Sequence, residues 1–129
     1  MSDFSDALAV TAGGLRSQAQ RLRVLSENIA NTDTPGYRRK LVSFDEVMGD
    51  GPAGVLDAGH VQLDRTELAR IYDPSHPMAD ASGHYDGSNV NLLVEIADAR
   101  EASRSYEANL KMFDQLRQMS GALMDLLRR

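Results

Sequence analysis

The stretch NLLVEIADAREASRSYEANLKMFDQLRQMSGALMDLLR, residues 91–128, decides the fold. Leu92, Ile96, Ala99, Ser103, Tyr106, Leu110, Phe113, Arg117, Ser120, Met124 and Leu127 follow alternating steps of four and three without a slip. That spacing lines up one face of an α-helix. Beside it Met112, Leu116, Met119, Leu123 and Leu126 form a second apolar row. Asn91 stands where an N-cap belongs. At 1.5 Å per residue the expected helix runs to about 55 Å.

Upstream, residues 3–30 read as a helix of about 42 Å. Leu8, Leu15, Leu22 and Ile29 recur every seven residues, with Phe4 and Leu25 on the same stripe. Ser2 or Asp3 can cap its start, and Asp3 and Asp6 suit the positive end of the helix dipole. Gly13-Gly14 inside this helix should cost roughly 1 kcal/mol each relative to Ala. Two readings stay open for that pair: a tolerated weak spot, or a place where another backbone comes close or the helix bends.

The stop is Asn31-Thr-Asp-Thr-Pro-Gly. Pro35 disfavours helical geometry at Thr34, and Pro35-Gly36 can set a type II turn that redirects the chain. Tyr37 then offers an amphipathic anchor for the departing segment. Residues 31–90 hold all four Pro and most of the Gly. The short apolar runs Leu41–Phe44, Val61–Leu63 and Leu68–Tyr72 are candidate strands of one or two hairpins. Turn-rich Gly49–Pro52 lies between the first two, and turn-rich Asp73–Pro77 follows the third.

The expected fold is mainly α. Two long terminal helices, residues 1–30 and 91–129, pair as a coiled-coil-like antiparallel hairpin, and residues 31–90 form a turn-rich linker with a small irregular β element. The heptad steps set Leu22 and Leu110 on facing seams. From residue 110 onward the second helix carries more apolar surface than one partner covers. Leaving that strip in water costs about 25 cal/mol per Å². It therefore asks for further helices, most simply from copies of the same chain. An ordinary helical hairpin with surplus surface leucines is the competing reading.

Composition narrows the function. The chain has 129 residues, room for one small domain, and 42% of them are hydrophobic. Aromatics are 5% with no Trp, which favours a Leu, Ala, Met and Val core. The net charge is −5 and the basic residues are spread, so no stripe for nucleic acid is expected. With no Cys there is no disulfide, thiolate metal site or Cys nucleophile. No apolar run approaches the roughly 20 residues of a membrane span. The acidic start, Met1-Ser-Asp-Phe-Ser-Asp6, is unlike a secretory signal, so export would need a route without a cleaved one.

Candidate chemistry is thin. His60, His76 and His84 with Asp73 and Asp80 would share a face only on a helix, and Pro74, Pro77 and Gly83 argue against one. They read as loop polar residues. There is no Gly-x-Ser-x-Gly elbow, so no enzyme, metal or cofactor is expected. The run Tyr37-Arg38-Arg39-Lys40 is too short for a membrane or nucleic-acid patch and reads as a solvated or intersubunit ion-pairing segment.

Residues 15–39, LRSQAQRLRVLSENIANTDTPGYRR, resemble the N-terminal signature of the flagellar axial protein family of rod, hook and hook-associated subunits. The Asn-Ile-Ala-Asn and Thr-Pro-Gly-Tyr elements fall at Asn28–Asn31 and Thr34–Tyr37. The C-terminal signature is similar to Asn89-Val90-Asn91 followed by Ser103–Asn109. With only about sixty residues between the two, the resemblance is to the short proximal rod members, and Tyr72–Tyr85 looks like the segment typical of their C-type branch.

The resemblance implies a structural subunit exported unfolded through the flagellar type III apparatus. It would assemble in the periplasm, with copies of itself and other rod proteins, into a helical tube transmitting motor torque to the hook. Subunit packing would fall to Leu8, Leu15, Leu22, Leu25, Ile29, Leu92, Ile96, Tyr106, Leu110, Phe113, Leu116, Leu123 and Leu127, and the signature turn to Asn28, Asn31, Pro35, Gly36 and Tyr37. A soluble helical-hairpin adaptor or export chaperone is the alternative.

Overall fold

Asn91 opens the long helix as its position requires. Its backbone is extended and its side-chain oxygen accepts the Val94 N–H at 3.4 Å. In this computed structural model, which describes residues 2–46 and 52–128, the helix α2 runs Leu92–Leu127 and the helix α1 runs Ser2–Ala30. Their lengths are about 54 Å and 43 Å. Between them lie four strands, β1 (Lys40–Glu46), β2 (Leu56–Leu63), β3 (Arg70–Tyr72) and β4 (His84–Asp86).

The expected fold is present: mainly helical, an antiparallel hairpin with a small β region between its arms. β1 and β2 pair antiparallel from Lys40–Leu63 to Glu46–Leu56, with a register shift between Val42 and Phe44. β3 and β4 form a second, separate hairpin from Arg70–Asp86 to Tyr72–His84. Leu68 and Ala69 precede β3 rather than joining it, and β4 had no hydrophobic alternation to announce it. Residues 49–51 of the expected Gly-Asp-Gly-Pro turn lie outside the described residues.

Three contacts fix the helix register. A Cβ built on Gly14 would sit 2.9 Å from the Asn109 side-chain nitrogen. Arg21 reaches Glu101 at 3.5 Å, and Asn28 reaches Glu95 at 3.3 Å. Leu22 therefore lies level with residues near 101, and Leu110 level with residues near 13. The expected Leu22–Leu110 seam contact is wrong by about 13 Å along the axis.

The seams themselves also differ from the apolar rows. On α1 the line facing α2 runs through Gly14, Arg21, Leu25 and Asn28. Leu8, Leu15, Leu22 and Ile29 lie roughly a quarter turn away, half-buried. On α2 Glu95, Ala99, Ala102, Tyr106, Asn109, Phe113, Leu116 and Ser120, buried or half-buried, keep the four-three step, with Asp98 and Ser105 half-buried beside them. Ala99, Tyr106, Phe113 and Ser120 were expected. Glu95, Ala102, Asn109 and Leu116 stand where Ile96, Ser103, Leu110 and Arg117 had been placed.

The cause is the chemistry of the contact. Small or polar residues, Gly14 with Asn109, Arg21 with Glu101 and Asn28 with Glu95, alternate in the contact with Tyr106, Phe113 and Leu116, while Leu92, Ile96, Leu110, Met112 and Met119 are turned away from it. Among the described residues the buried apolar side chains are Val24, Leu25 and Ala102, an unusually small core for so much helix. The glycine pair now has its explanation. Gly13 packs under the β1–β2 hairpin, where a Cβ would meet the Leu56 carbonyl oxygen at 2.9 Å and Val55 at 3.1 Å, while Gly14 faces Asn109. One helix is approached from two sides at consecutive residues.

Candidate functional site

Asn28 organises the end of the hairpin. It is wholly shielded from solvent, and its amide is fully used. The nitrogen donates to the Lys40 carbonyl (2.9 Å) and to Glu95 Oε2 (3.3 Å). The oxygen accepts from the Tyr37 hydroxyl (2.8 Å) and from the Lys40 N–H (2.9 Å). A side-chain amide has two donor hydrogens and one acceptor oxygen with two lone pairs, so nothing is left over.

The chain reaches this arrangement through its turn. Tyr37 N–H donates to the Thr34 carbonyl at 3.2 Å, and Gly36 sits at φ +75°, the geometry Pro35-Gly36 was expected to impose. Gly36 N–H is taken up by the carbonyls of Asp86 and Gly87, so the turn is stitched to β4. Asn31 closes the helix end: its side-chain nitrogen donates to the Glu27 carbonyl at 2.8 Å and its oxygen accepts from Thr34 at 3.0 Å. Burial, and then the nearby Glu27 charge, raise the Tyr37 phenol above its ordinary value, which keeps it a hydrogen-bond donor.

Glu95, also wholly buried, is held by the Arg39 guanidinium as well as by Asn28. Arg39 further reaches Asp98 (3.5 Å) and Asp64 (3.7 Å), and its backbone N–H donates to Asn89 Oδ1 at 2.6 Å. Asn89 in turn donates to the Asp64 carbonyl at 3.0 Å. Ser88 donates to the Thr32 carbonyl. Asp64 is held below the ordinary carboxylate value, first by the Thr66 N–H. Lys40 pairs with Glu27 at 2.8 Å, which raises its ammonium.

The two signature segments are thus halves of one hub: Asn28–Lys40 on one side, Ser88–Glu95 on the other. The basic run 38–40 was expected to be solvated or to pair between subunits. Arg39 and Lys40 instead pair within the chain, and Arg38 donates to the Thr66 carbonyl at 3.1 Å. Glu95 and Arg39 were not expected in the hub. A carboxylate three residues into an apolar helix start and an arginine after a turn carry no periodic signal.

The remaining candidates fall elsewhere. His76 stacks on Tyr85 with ring centres 3.9 Å apart, and His84 tilts against Tyr72 at 5.1 Å. Asp80 accepts from Ser82, the His84 N–H and Arg70, which hold it well below the usual carboxylate range. Among the described residues no three His, Asp or Glu side chains gather where a metal could bind, and no helix is long and apolar enough to cross a membrane.

Of the residues assigned to packing, Leu25 is buried, and Leu8, Leu15, Leu22, Ile29, Tyr106, Phe113 and Leu116 are half-buried along the hairpin. Leu92, Ile96, Leu110, Leu123 and Leu127 face solvent, together with Leu93, Val94, Met112, Met119, Met124 and Leu126. Leu93 is 79% exposed and Leu127 71%, so α2 carries bare apolar side chains on more than one side.

Residues 8–38 match the family described as "Flagella basal body rod protein", and residues 81–126 match "Flagellar basal body rod FlgEFG protein C-terminal". The first match takes in Asn28–Arg38 and the second Ser88–Glu95, so each reaches one half of the hub, with Arg39 and Lys40 just past the end of the first. The chain is 43% identical to the flagellar basal-body rod protein FlgC of Agrobacterium fabrum, over 99% of this chain and 98% of that relative. It is 32% identical to FlgC of Salmonella typhimurium over 85% of this chain and 87% of the relative. Against FlgC of Bacillus subtilis the figures are 33%, 81% and 85%. Identity at this level along nearly the whole length, with both signatures in place, means that the chain belongs to the FlgC family of flagellar basal-body rod proteins.

Proposed function

We propose that this chain is a structural subunit of the proximal rod, polymerising with its own copies and other rod proteins into a helical tube that transmits motor torque to the hook. It reaches the periplasm through the flagellar type III apparatus, unfolded. The two helices serve as the coiled-coil core and residues 31–90 as the linker that sets where they return.

The exposed apolar side chains of α2 carry this reading. Glu95, Ala102 and Asn109 alternate with a few larger residues toward α1, while Leu92, Leu93, Ile96, Leu110, Met112 and Met119 are left exposed. A soluble adaptor or chaperone would be expected to do the reverse, because exposed apolar area of this extent invites association. Family membership supports the same reading. The hub fits it as well: torque passing along the helices meets a buried, fully bonded joint rather than a loose loop.

The test is Leu126→Asp in cells that lack the native gene. Leu126 is 67% exposed, so the purified variant should melt with the unsubstituted chain. A carboxylate there has to be desolvated when a neighbour covers it. The expected result is normal synthesis with no rods and no swimming. Normal swimming would remove this face from the assembly.

A further inference from the structure

We propose that copies of this chain join by a stepped, head-to-flank contact in which the N-terminal half of one α2 packs on the C-terminal half of the next. The inference rests on the rod-subunit reading above. Its basis is the placement of the exposed side chains around the helix. With 100° per residue and Ala102 taken as the line facing α1, Leu92, Ile96 and Leu110 lie about 80–120° to one side. Met112, Met119 and Leu126 lie about 80–120° to the other side. All six are at least 36% exposed. Val94 shares the second flank near the helix start; otherwise α2 has two apolar strips on opposite flanks, the first from Leu92 to Leu110 and the second from Met112 to Leu126.

That arrangement restricts how copies can cover each other. A two-fold axis through either strip would bury it and leave the other bare. Pairing the first strip of one copy with the second strip of its neighbour covers both on every chain. Such a contact is heterologous and propagates into an open array. Two different two-folds would also cover both strips, but the resulting fibre would have no polarity, which a rod leading from motor to hook requires.

Size points the same way. A few part-exposed side chains per strip fall well short of the roughly 800 Å² per partner of a stable two-body interface. One contact alone is weak, and each subunit needs both. The chemistry is complementary too. The second strip is rich in methionine, which adapts to an irregular surface, and the first offers branched leucine and isoleucine. Matching Leu92 to Met112 sets an offset of twenty residues, about 30 Å of axial step, which brings Ile96 level with Leu116 and Leu110 just past the end of the neighbour's α2.

The chain has no native Cys, so engineered pairs report cleanly. Leu92→Cys with Met112→Cys, expressed in cells lacking the native gene and oxidised in assembled rods, should give a ladder at multiples of the chain mass. Either single variant should give none. Leu92→Cys with Leu110→Cys, which would link across a two-fold through the first strip, should give none. A ladder from that same-strip pair, links only to a different protein, or no links in rods that contain the chain would overturn the stepped contact while leaving the rod assignment standing. If the unsubstituted chain is absent from purified rods, the rod reading fails instead. Should the Cys pair not assemble, charge exchange decides. Ile96→Lys and Met119→Glu should each abolish swimming alone and regain part of it together; no recovery would overturn the contact.

Discussion

The side-chain amide of Asn28 donates to the Glu95 carboxylate across 3.3 Å, and neither residue is open to solvent. One stands near the end of α1 and the other near the start of α2, so this bond joins the two segments that identify the family. Around it, backbone and side-chain donors are taken up by partners, with Arg39 supplying the compensating charge.

Removing the hub should therefore be costly in a graded way. Glu95→Gln keeps the shape and loses the charge, whereas Glu95→Leu leaves Arg39 without its buried partner. Breaking a buried pair from one side typically costs about 3–5 kcal/mol. Asn28→Leu strands the Lys40 N–H and the Tyr37 hydroxyl, at about 1–3 kcal/mol for each group that water cannot reach, and leaves Glu95 to Arg39 alone. Urea unfolding of the purified chains should rank the unsubstituted protein above Glu95→Gln, and Glu95→Gln above both leucine variants. Equal midpoints for Glu95→Leu and the unsubstituted chain would mean that the hub contributes nothing.

The glycines should separate close approach from helix propensity. Replacing a helical Gly by Ala gains about 1 kcal/mol where space allows. Around Gly121 there is nothing within 4 Å, so Gly121→Ala should stabilise the purified chain by about that amount. Gly13→Ala meets the Leu56 backbone at 2.9 Å, and backbone cannot swing away. It should destabilise, by about 1–3 kcal/mol as overpacking usually does. Gly14→Ala meets only the end of the flexible Asn109 side chain and should fall between the two. Thermal melts of the three variants check the order.

Side-chain coupling should follow the observed register. Leu22 and Leu110 lie more than 10 Å apart along the axis, so Leu22→Ala and Leu110→Ala should add within about 0.5 kcal/mol. Asn28 and Glu95 touch, and their substitutions should depart from additivity by about 0.5–3 kcal/mol. A double-mutant cycle on each pair, read by urea unfolding, gives both answers. Coupling at Leu22 and Leu110 would contradict the register.

The β3–β4 turn should resist acid. Asp80 is held as a carboxylate first by the Ser82 hydroxyl and then by Arg70, so its folded value lies below the ordinary 3.8. A depressed folded value means that the contribution is complete above the unfolded value and is lost as pH falls through the folded one. Nuclear magnetic resonance titration of Asp80 should show no protonation at pH 3.8, with the Ser82 and His84 amide shifts holding until more acid conditions. A midpoint at the ordinary value would contradict the bonding described for this turn.

Much of this fold was legible in the sequence, and the parts that were not share a cause. Periodicity located both helices, Asn91 and the Pro35-Gly36 turn because each depends on local geometry that residues announce within one or two turns. The seam was legible only at every second position of α2. Hydrophobic pattern assigns the largest side chains to the nearest partner, yet here Ala102, Asn109 and Glu95 face α1 while Leu110 and Ile96 face outward. A subunit that must associate reserves its apolar residues for surfaces that one chain does not contain. Glu95 and Arg39 escaped for a related reason: a buried ion pair 56 residues apart in sequence has no local signature.

When subunits assemble, the bare apolar flanks of α2 should be covered, and side-chain-resolution imaging of basal bodies from cells carrying this chain tests that most directly. This chain should appear in the rod, with Leu92 and Ile96 of one copy buried against Met112 and Met119 of another, Leu110 at the end of that neighbour's α2 and the Asn28–Glu95 hub intact. A rod containing this chain with those side chains still facing solvent would show that these flanks are not an assembly surface.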